Sequence, residues 1–155
     1  MEATGNSFKG SYTYTLDTKG RVNIPANMRK ALDQASDGTF VATRSAPSDG
    51  CIVLYPATVW KHVESQYLAL DKGKPAVRHY IRNILRHAKA LPYDGQGRVA
   101  LPARLLEFAS ISKNVEIIGM IDRIEIWNPD SLKALDKRLA SESDELKNIA
   151  DEIHF

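Results

Sequence analysis

Apolar residues alternate with polar ones in two short stretches near the start of the chain, and a helical period takes over immediately afterwards. Tyr12, Tyr14 and Leu16 alternate with Thr13 and Thr15, and Val22 and Ile24 alternate with Arg21 and Asn23. Period two predicts strands with one dry and one wet face. Between them, Asp17-Thr18-Lys19-Gly20 has an acidic first and a glycine fourth position, the chemistry of a type I turn closed by a left-handed residue, so a hairpin is expected. Pro25 then ends the second strand and suits a first helical position, where a missing N–H costs nothing. The expected helix runs from 26 to about 35, with Ser36, Asp37 and Gly38 as the turn after it.

The same pattern returns 77 positions later. Setting Asp17 on Asp94 places Gly20 on Gly97, Arg21 on Arg98, Val22 on Val99, Pro25 on Pro102 and Ala26 on Ala103. Six identities in twelve positions, where chance gives about one in twenty per position, mark an internal duplication. It extends downstream, because CIVLYPATVW at 51–60 resembles RIEIWNPDSL at 123–132. Each is an apolar strand that ends at an aromatic residue and meets a proline that can open a helix. Each unit therefore reads strand, turn, strand, helix, strand, strand, helix, with the second short helix over 103 to about 109.

Between the units the period is helical. Val59, Trp60, Val63, Tyr67 and Leu70 form one stripe over 56 to about 70, and Val77, Ile81, Ile84 and Leu85 another over 75 to about 86. Pro92 implies an edge strand or a bulge before the second turn. A last pair of helices is expected, from Pro129 to about 139 and after the break at 141–144. A strand pair with one short helix cannot bury its own apolar face, so the units are expected to interlock about a pseudo-twofold axis as one domain. The divisions are 8–56 for the first repeat, 57–87 for the helical insertion, 88–131 for the second repeat and 132–155 for a C-terminal helical tail.

Composition narrows the function classes. The 155 residues are 43% apolar, enough for a real core, and no stretch approaches a membrane span or a secretion signal, so a cytoplasmic address is expected. The net charge of +2 gives weak attraction to polyanions. Its distribution is uneven: 61–89 holds seven basic residues against two acidic, and the chain from 130 onward holds seven acidic against four basic. A basic middle and an acidic tail permit nucleic acid or head-to-tail self-contact and do not choose between them. Cys51 stands alone and is expected to be a small buried apolar residue, and His62, His79, His87 and His154 lack zinc-site spacing. No nucleophile elbow, P-loop or paired catalytic carboxylates are present, so neither an enzyme nor a cofactor is expected.

The runs at 17–25 and 94–102, the Leu-Tyr-Pro and Ile-Trp-Asn-Pro strand ends, and the intervening RHYIRNILRHA together resemble the MraZ family, the two-repeat member of the SpoVT-AbrB family, over 8–139. The resemblance implies an α+β fold in which two SpoVT-AbrB-like repeats form one pseudo-twofold swapped-hairpin β-barrel with peripheral helices. It also implies a homo-oligomeric ring and a bacterial transcriptional regulator, usually a repressor. Such a regulator binds short direct repeats in double-stranded DNA ahead of the division and cell-wall gene cluster, on the nucleoid. The hairpin carrying Asp17 and Arg21, and its echo at Asp94 and Arg98, would be the DNA-contacting element.

The residues divide by chemistry. Asp17, Gly20, Asp94 and Gly97 are turn formers, since a carboxylate facing DNA is repelled. Arg21 and Arg98 either pair across their turns with Asp17 and Asp94 or face outward, where a guanidinium fork meets phosphate or a guanine edge. Lys19, at the tip, suits a phosphate. Asn23 shares the wet face of Arg21, and Arg29 either contacts phosphate or braces the hairpin. Gln96 and Leu106 stand where the first unit has Lys19 and Arg29, which puts the first hairpin forward. The row Arg78, Arg82 and Arg86 reads as a solvated helix face or as a contact with the acidic tail of a neighbour. The competing function is an AbrB-like antitoxin or protein-interaction module, although the tail here is short and helical in pattern.

Overall fold

A computed structural model describes residues 7–35 and 38–153; Ser36 and Asp37 of the expected turn, and His154, lie outside the described residues. The elements are β1 (Ser11–Thr15), β2 (Arg21–Asn23), α1 (Ala26–Ala35), β3 (Thr39–Arg44), β4 (Ile52–Pro56), α2 (Ala57–Leu68), α3 (Pro75–Leu85), β5 (Lys89–Pro92), β6 (Arg98–Ala100), α4 (Ala103–Phe108), β7 (Asn114–Gly119), β8 (Ile124–Trp127), α5 (Pro129–Ala140) and α6 (Ser143–Ile153). This is an α+β fold.

Six strands form one antiparallel sheet in the order β1-β7-β8-β4-β3-β5, and β2 and β6 form a separate two-stranded ribbon. No ladder joins ribbon and sheet into a closed barrel among the described residues. The order is palindromic, because each outer strand pairs with the other repeat: Tyr14 opposes Val115 in β1–β7, and Leu91 opposes Phe40 in β5–β3. Two registers place equivalent residues face to face. Val22 opposes Val99 in the ribbon, and Val53 opposes Glu125 at the sheet centre. The pseudo-twofold axis passes through both pairs. Neither repeat holds a complete sheet by itself, which is why the duplicated sequence folds as one body.

Burial follows the pleat. Between sheet and ribbon lies a core that includes Phe8, Val22, Met28, Phe40, Leu54, Val99, Leu105, Ile117 and Ile126. On the opposite face Cys51, Val53, Tyr55 and Trp127 pack with Trp60, Val63 and Ile84 beneath α2 and α3. All of β4 is buried, since its two faces supply different cores, and this accounts for the unbroken apolar run at its sequence. Cys51 is fully buried and its thiol is pushed up to about 12 by burial and then by the Glu125 charge. The edge position expected from Pro92 holds, because β5 ends the sheet. At Gly119 an added Cβ would lie 2.2 Å from the Lys9 backbone nitrogen, so glycine lets the segment carrying buried Phe8 cross the end of β7.

Some boundaries differ from expectation. Pro25 and Pro102 precede their helices instead of occupying the first turn. The Pro25 carbonyl accepts from Met28 and Arg29 N–H, and Pro102 is the N-cap of α4 with φ −59° and ψ 141°. A strand running straight into a helix needs one extended residue at the junction, and proline's fixed φ fits that conformation. Pro75 and Pro129 do occupy the first turn, and the Asn128 side chain caps α5 by accepting from Asp130 and Ser131 N–H. Leu70 falls outside α2 and is exposed.

Candidate nucleic-acid interface

Each repeat closes its hairpin with the same carboxylate clamp. In the first, Asp17 Oδ1 accepts from Lys19 N–H and Arg21 N–H, each at 2.9 Å, and Oδ2 accepts from Arg21 Nε at 2.6 Å. In the second, Asp94 Oδ1 accepts from Gln96 N–H at 2.9 Å and Arg98 N–H at 3.0 Å, while Arg98 Nε donates to Oδ2 at 2.9 Å. Gly20 and Gly97 take φ of 75° and 79°, the left-handed closure that the turn chemistry requires. The i,i+4 pairing of arginine with aspartate therefore occurs in both units. The two clamps also meet: Arg98 Nη1 lies 3.8 Å from Asp17 Oδ2.

The turns are joined across the axis. Leu101 N–H donates to Gly20 O at 3.0 Å and Ile24 N–H to Gly97 O at 2.9 Å, extending the ribbon at both ends. At about 3.4 Å per residue, the stretch between the two turns is about 14 Å long. Val22 and Val99 point inward, 1% and 0% exposed, so alternation turns Arg21, Asn23, Arg98 and Ala100 to the opposite face. Asn23 is exposed, Lys19 is exposed at the first tip, and the Arg21 and Arg98 side chains keep 30% and 24% of their surface. The outward face thus carries Lys19 and two arginines that are paired with the turn aspartates, and it is asymmetric, because Ala100 and Gln96 occupy the places of Asn23 and Lys19.

Arg29 belongs to a different layer from the other candidates. Its guanidinium lies against the turn of the second repeat, where an added Cβ on Gly97 would come 2.3 Å from Nη1. The same nitrogen donates to Ile24 O at 2.5 Å. Its counterpart Leu106 lies near Gly20, with Cδ1 3.6 Å from an added Cβ. Each short helix therefore props the other repeat's turn, one with a cation and one with a leucine. Sequence spacing could not reveal this crossing, since it depends on how the two repeats pair.

Hydrogen bonding sets the charge state of the clamps. Asp17 is lowered from the ordinary 3.8 to about 2, chiefly by the Arg21 backbone N–H, with partial burial opposing and the Arg21 side chain and Lys19 N–H adding. Asp94 is lowered as well, first by the Arg98 backbone N–H. A carboxylate more acidic in the folded state stabilises above its unfolded pKa, and this contribution is lost as pH falls through the folded one. The urea midpoint of Asp17→Asn should therefore lie below wild type at pH 6, and the gap should narrow from about pH 4 and close near pH 2.

Among the described residues no cluster of His, Cys, Asp or Glu is arranged to hold a metal ion, and no helix is long and apolar enough to cross a membrane.

Comparison with known proteins adds independent findings. The family model described as "MraZ protein, putative antitoxin-like" matches twice, over residues 7–83 and 84–151, with starts separated by the offset that superposes the two turns. The chain is 38% identical over 146 residues to the transcriptional regulator MraZ of Natranaerobius thermophilus, covering 94% of this chain and 96% of that protein. The protein of that name from Chromobacterium violaceum is 42% identical over 116 residues, covering 75% and 77%. That from Desulfitobacterium hafniense strain Y51 is 34% identical over 146 residues, covering 92% and 98%.

Proposed function

The chain belongs to the MraZ family, and we propose that it is a sequence-specific DNA-binding transcriptional regulator that works through the outward face of the β2–β6 ribbon. Arg21 and Asn23 read base edges, Lys19 holds a phosphate, and Arg98 makes the corresponding contact from the second unit. Asp17, Gly20, Asp94 and Gly97 shape the turns, and Arg29 supports the ribbon from behind. In this reading the sheet and ribbon are the two parts of a swapped-hairpin barrel, and the regulator represses the bacterial division and cell-wall gene cluster from the nucleoid.

One observation carries the reading: a two-stranded antiparallel ribbon, buried on one face through Val22 and Val99, turns an arginine from each repeat toward the other face. A ribbon of this kind fits a major groove about 12 Å wide, and an arginine there meets guanine O6 and N7 bidentately. In each clamp the arginine bonds its aspartate through Nε, which leaves the two terminal amines of Arg21 and Arg98 geometrically placed for a fork contact, apart from the long Arg98–Asp17 approach.

With a net charge of only +2, a single chain has little electrostatic hold on DNA. Assembly into a ring removes that objection, because several weak ribbons bind repeated sites together. Two apolar faces that are exposed among the described residues support self-association. On α6, Leu146, Ile149 and Ile153 are exposed along one stripe beside Asp144, Glu145, Asp151 and Glu152. Between α2 and α3, exposed Leu68 and Leu85 lie with Tyr67 and Ile81 in an apolar groove, flanked by Lys72 and Glu64, whose shape suits such a helix from a second copy.

Gel-shift titration on DNA from upstream of the gene tests the mechanism. Binding should need at least two direct repeats and weaken steeply with salt. A monomeric variant that held one repeat as tightly as wild type holds several would defeat the reading.

A further inference from the structure

Away from the ribbon, the end of α3, the start of β5 and the first turn of α4 enclose a cavity of about 260 Å³ lined by Arg86, His87, Lys89, Pro102, Arg104 and Leu105, together with Ala88. Among the described residues no carboxylate lines it. A row of surface cations is ordinarily interleaved with acids or spread over a convex face, whereas here the charges converge on a hollow. His87 sits in it with Nδ1 buried and unpartnered among the described residues, and its imidazole is held below the usual range by burial and by the charges of Arg44, Arg104 and Arg86. Arg44 approaches from β3 with its guanidinium 4.3 Å above the Phe108 ring, and its Nε is likewise buried without a partner among the described residues. No acid among the residues that line the hollow offsets these charges.

We propose that the hollow formed by Arg86, Lys89 and Arg104 around His87 is a second phosphodiester contact, gripping the DNA backbone beside the first hairpin. The proposal rests on the reading of the ribbon as a DNA interface. Continuity with the ribbon favours a DNA backbone over another anion. Pro102 lines the hollow, and the residue before it, Leu101, donates its N–H to Gly20 O in the first turn, next to Lys19. In this proposal the sugar-phosphate edge of a duplex whose groove holds the ribbon runs along α4. Arg86, Lys89 and Arg104 are exposed and long enough to follow it. Phosphate contacts of this kind position a duplex and carry no sequence information.

The test is a salt series of binding titrations with the double variant Lys89→Ala/Arg104→Ala, on upstream repeat DNA and on a scrambled duplex of equal length, with thermal midpoint and oligomeric size measured alongside. Affinity for both duplexes should fall in parallel, roughly 3- to 10-fold near physiological salt, and the log–log salt slope should shrink by about 0.9 for each phosphate that the variant no longer neutralises. Unchanged affinity and slope, in a variant that keeps its size and midpoint, overturn the proposal. A variant that falls to smaller particles while its DNA binding per particle is unchanged also overturns it, and assigns the hollow to the acidic tail of a second copy. So does a thermal midpoint raised by inorganic phosphate alone in wild type and not in the variant, with DNA binding equal in both, which assigns it to a small anion. If wild type fails to distinguish repeat DNA from scrambled duplex, the ribbon reading fails. The change of slope on the scrambled duplex still decides the hollow.

Discussion

Arg21→Ala is expected to remove most discrimination between upstream repeat DNA and a scrambled duplex, by roughly 10- to 100-fold for each ribbon engaged, as for the removal of one bidentate base pairing. The fold should survive. The Asp17 carboxylate holds the turn mainly through the backbone N–H groups of Lys19 and Arg21, and alanine keeps both. What disappears is a half-exposed ion pair, which contributes little. Lys19→Ala is the useful contrast: it should weaken binding to both duplexes alike, because a phosphate contact does not depend on sequence. Competition titrations of the two variants separate the roles. Equal losses on both duplexes for Arg21→Ala would reduce that residue to a phosphate contact.

Gly97→Ala is expected to cost stability well beyond Gly20→Ala. Both positions are left-handed, where a side chain costs about 1–2 kcal/mol. At Gly20 the added methyl finds ordinary contacts, 3.6 Å to Leu106 Cδ1 and 3.7 Å to Leu101 O, so the strain is the whole effect. At Gly97 it would lie 2.3 Å from Arg29 Nη1, the far end of a flexible side chain, so the guanidinium must shift and its bond to Ile24 O is strained or lost. A hydrogen bond to a charged group contributes about 1.5–3 kcal/mol, so its complete loss on top of the strain puts the total at about 2.5–5 kcal/mol. Urea denaturation of Gly20→Ala, Gly97→Ala, Arg29→Ala and the double variant Gly97→Ala/Arg29→Ala checks this. The double variant should be less destabilised than the sum of its parts, since the bond can be broken only once.

Much of this architecture was legible in the sequence because it is written in short-range chemistry. The Asp-first, Gly-fourth turns, the alternation on β1 and β2 and the twelve-residue echo each depend on neighbours a few positions apart. The i,i+4 clamp of Asp17 and Arg21 was open to the same reading. Pairings between the two repeats were not legible. Nothing in the local pattern says that Tyr14 lies opposite Val115, that Arg29 covers a glycine 68 positions away, or that Arg98 approaches Asp17. Arg104 was missed for the same reason. Its neighbour Glu107 makes α4 look like an ordinary solvated helix, and only the docking of that helix beside His87 reveals the cationic hollow. The prolines misled by one residue, because a strand passing directly into a helix uses proline as a cap.

Hydrogen exchange of the free protein and of its complex with upstream repeat DNA locates the interface without any substitution. Slowed exchange should concentrate in 17–24 and 94–101, with the first hairpin protected more than the second. Protection confined to α2, α3 or α6, with both hairpins exchanging as in the free protein, would show that the ribbon does not meet DNA.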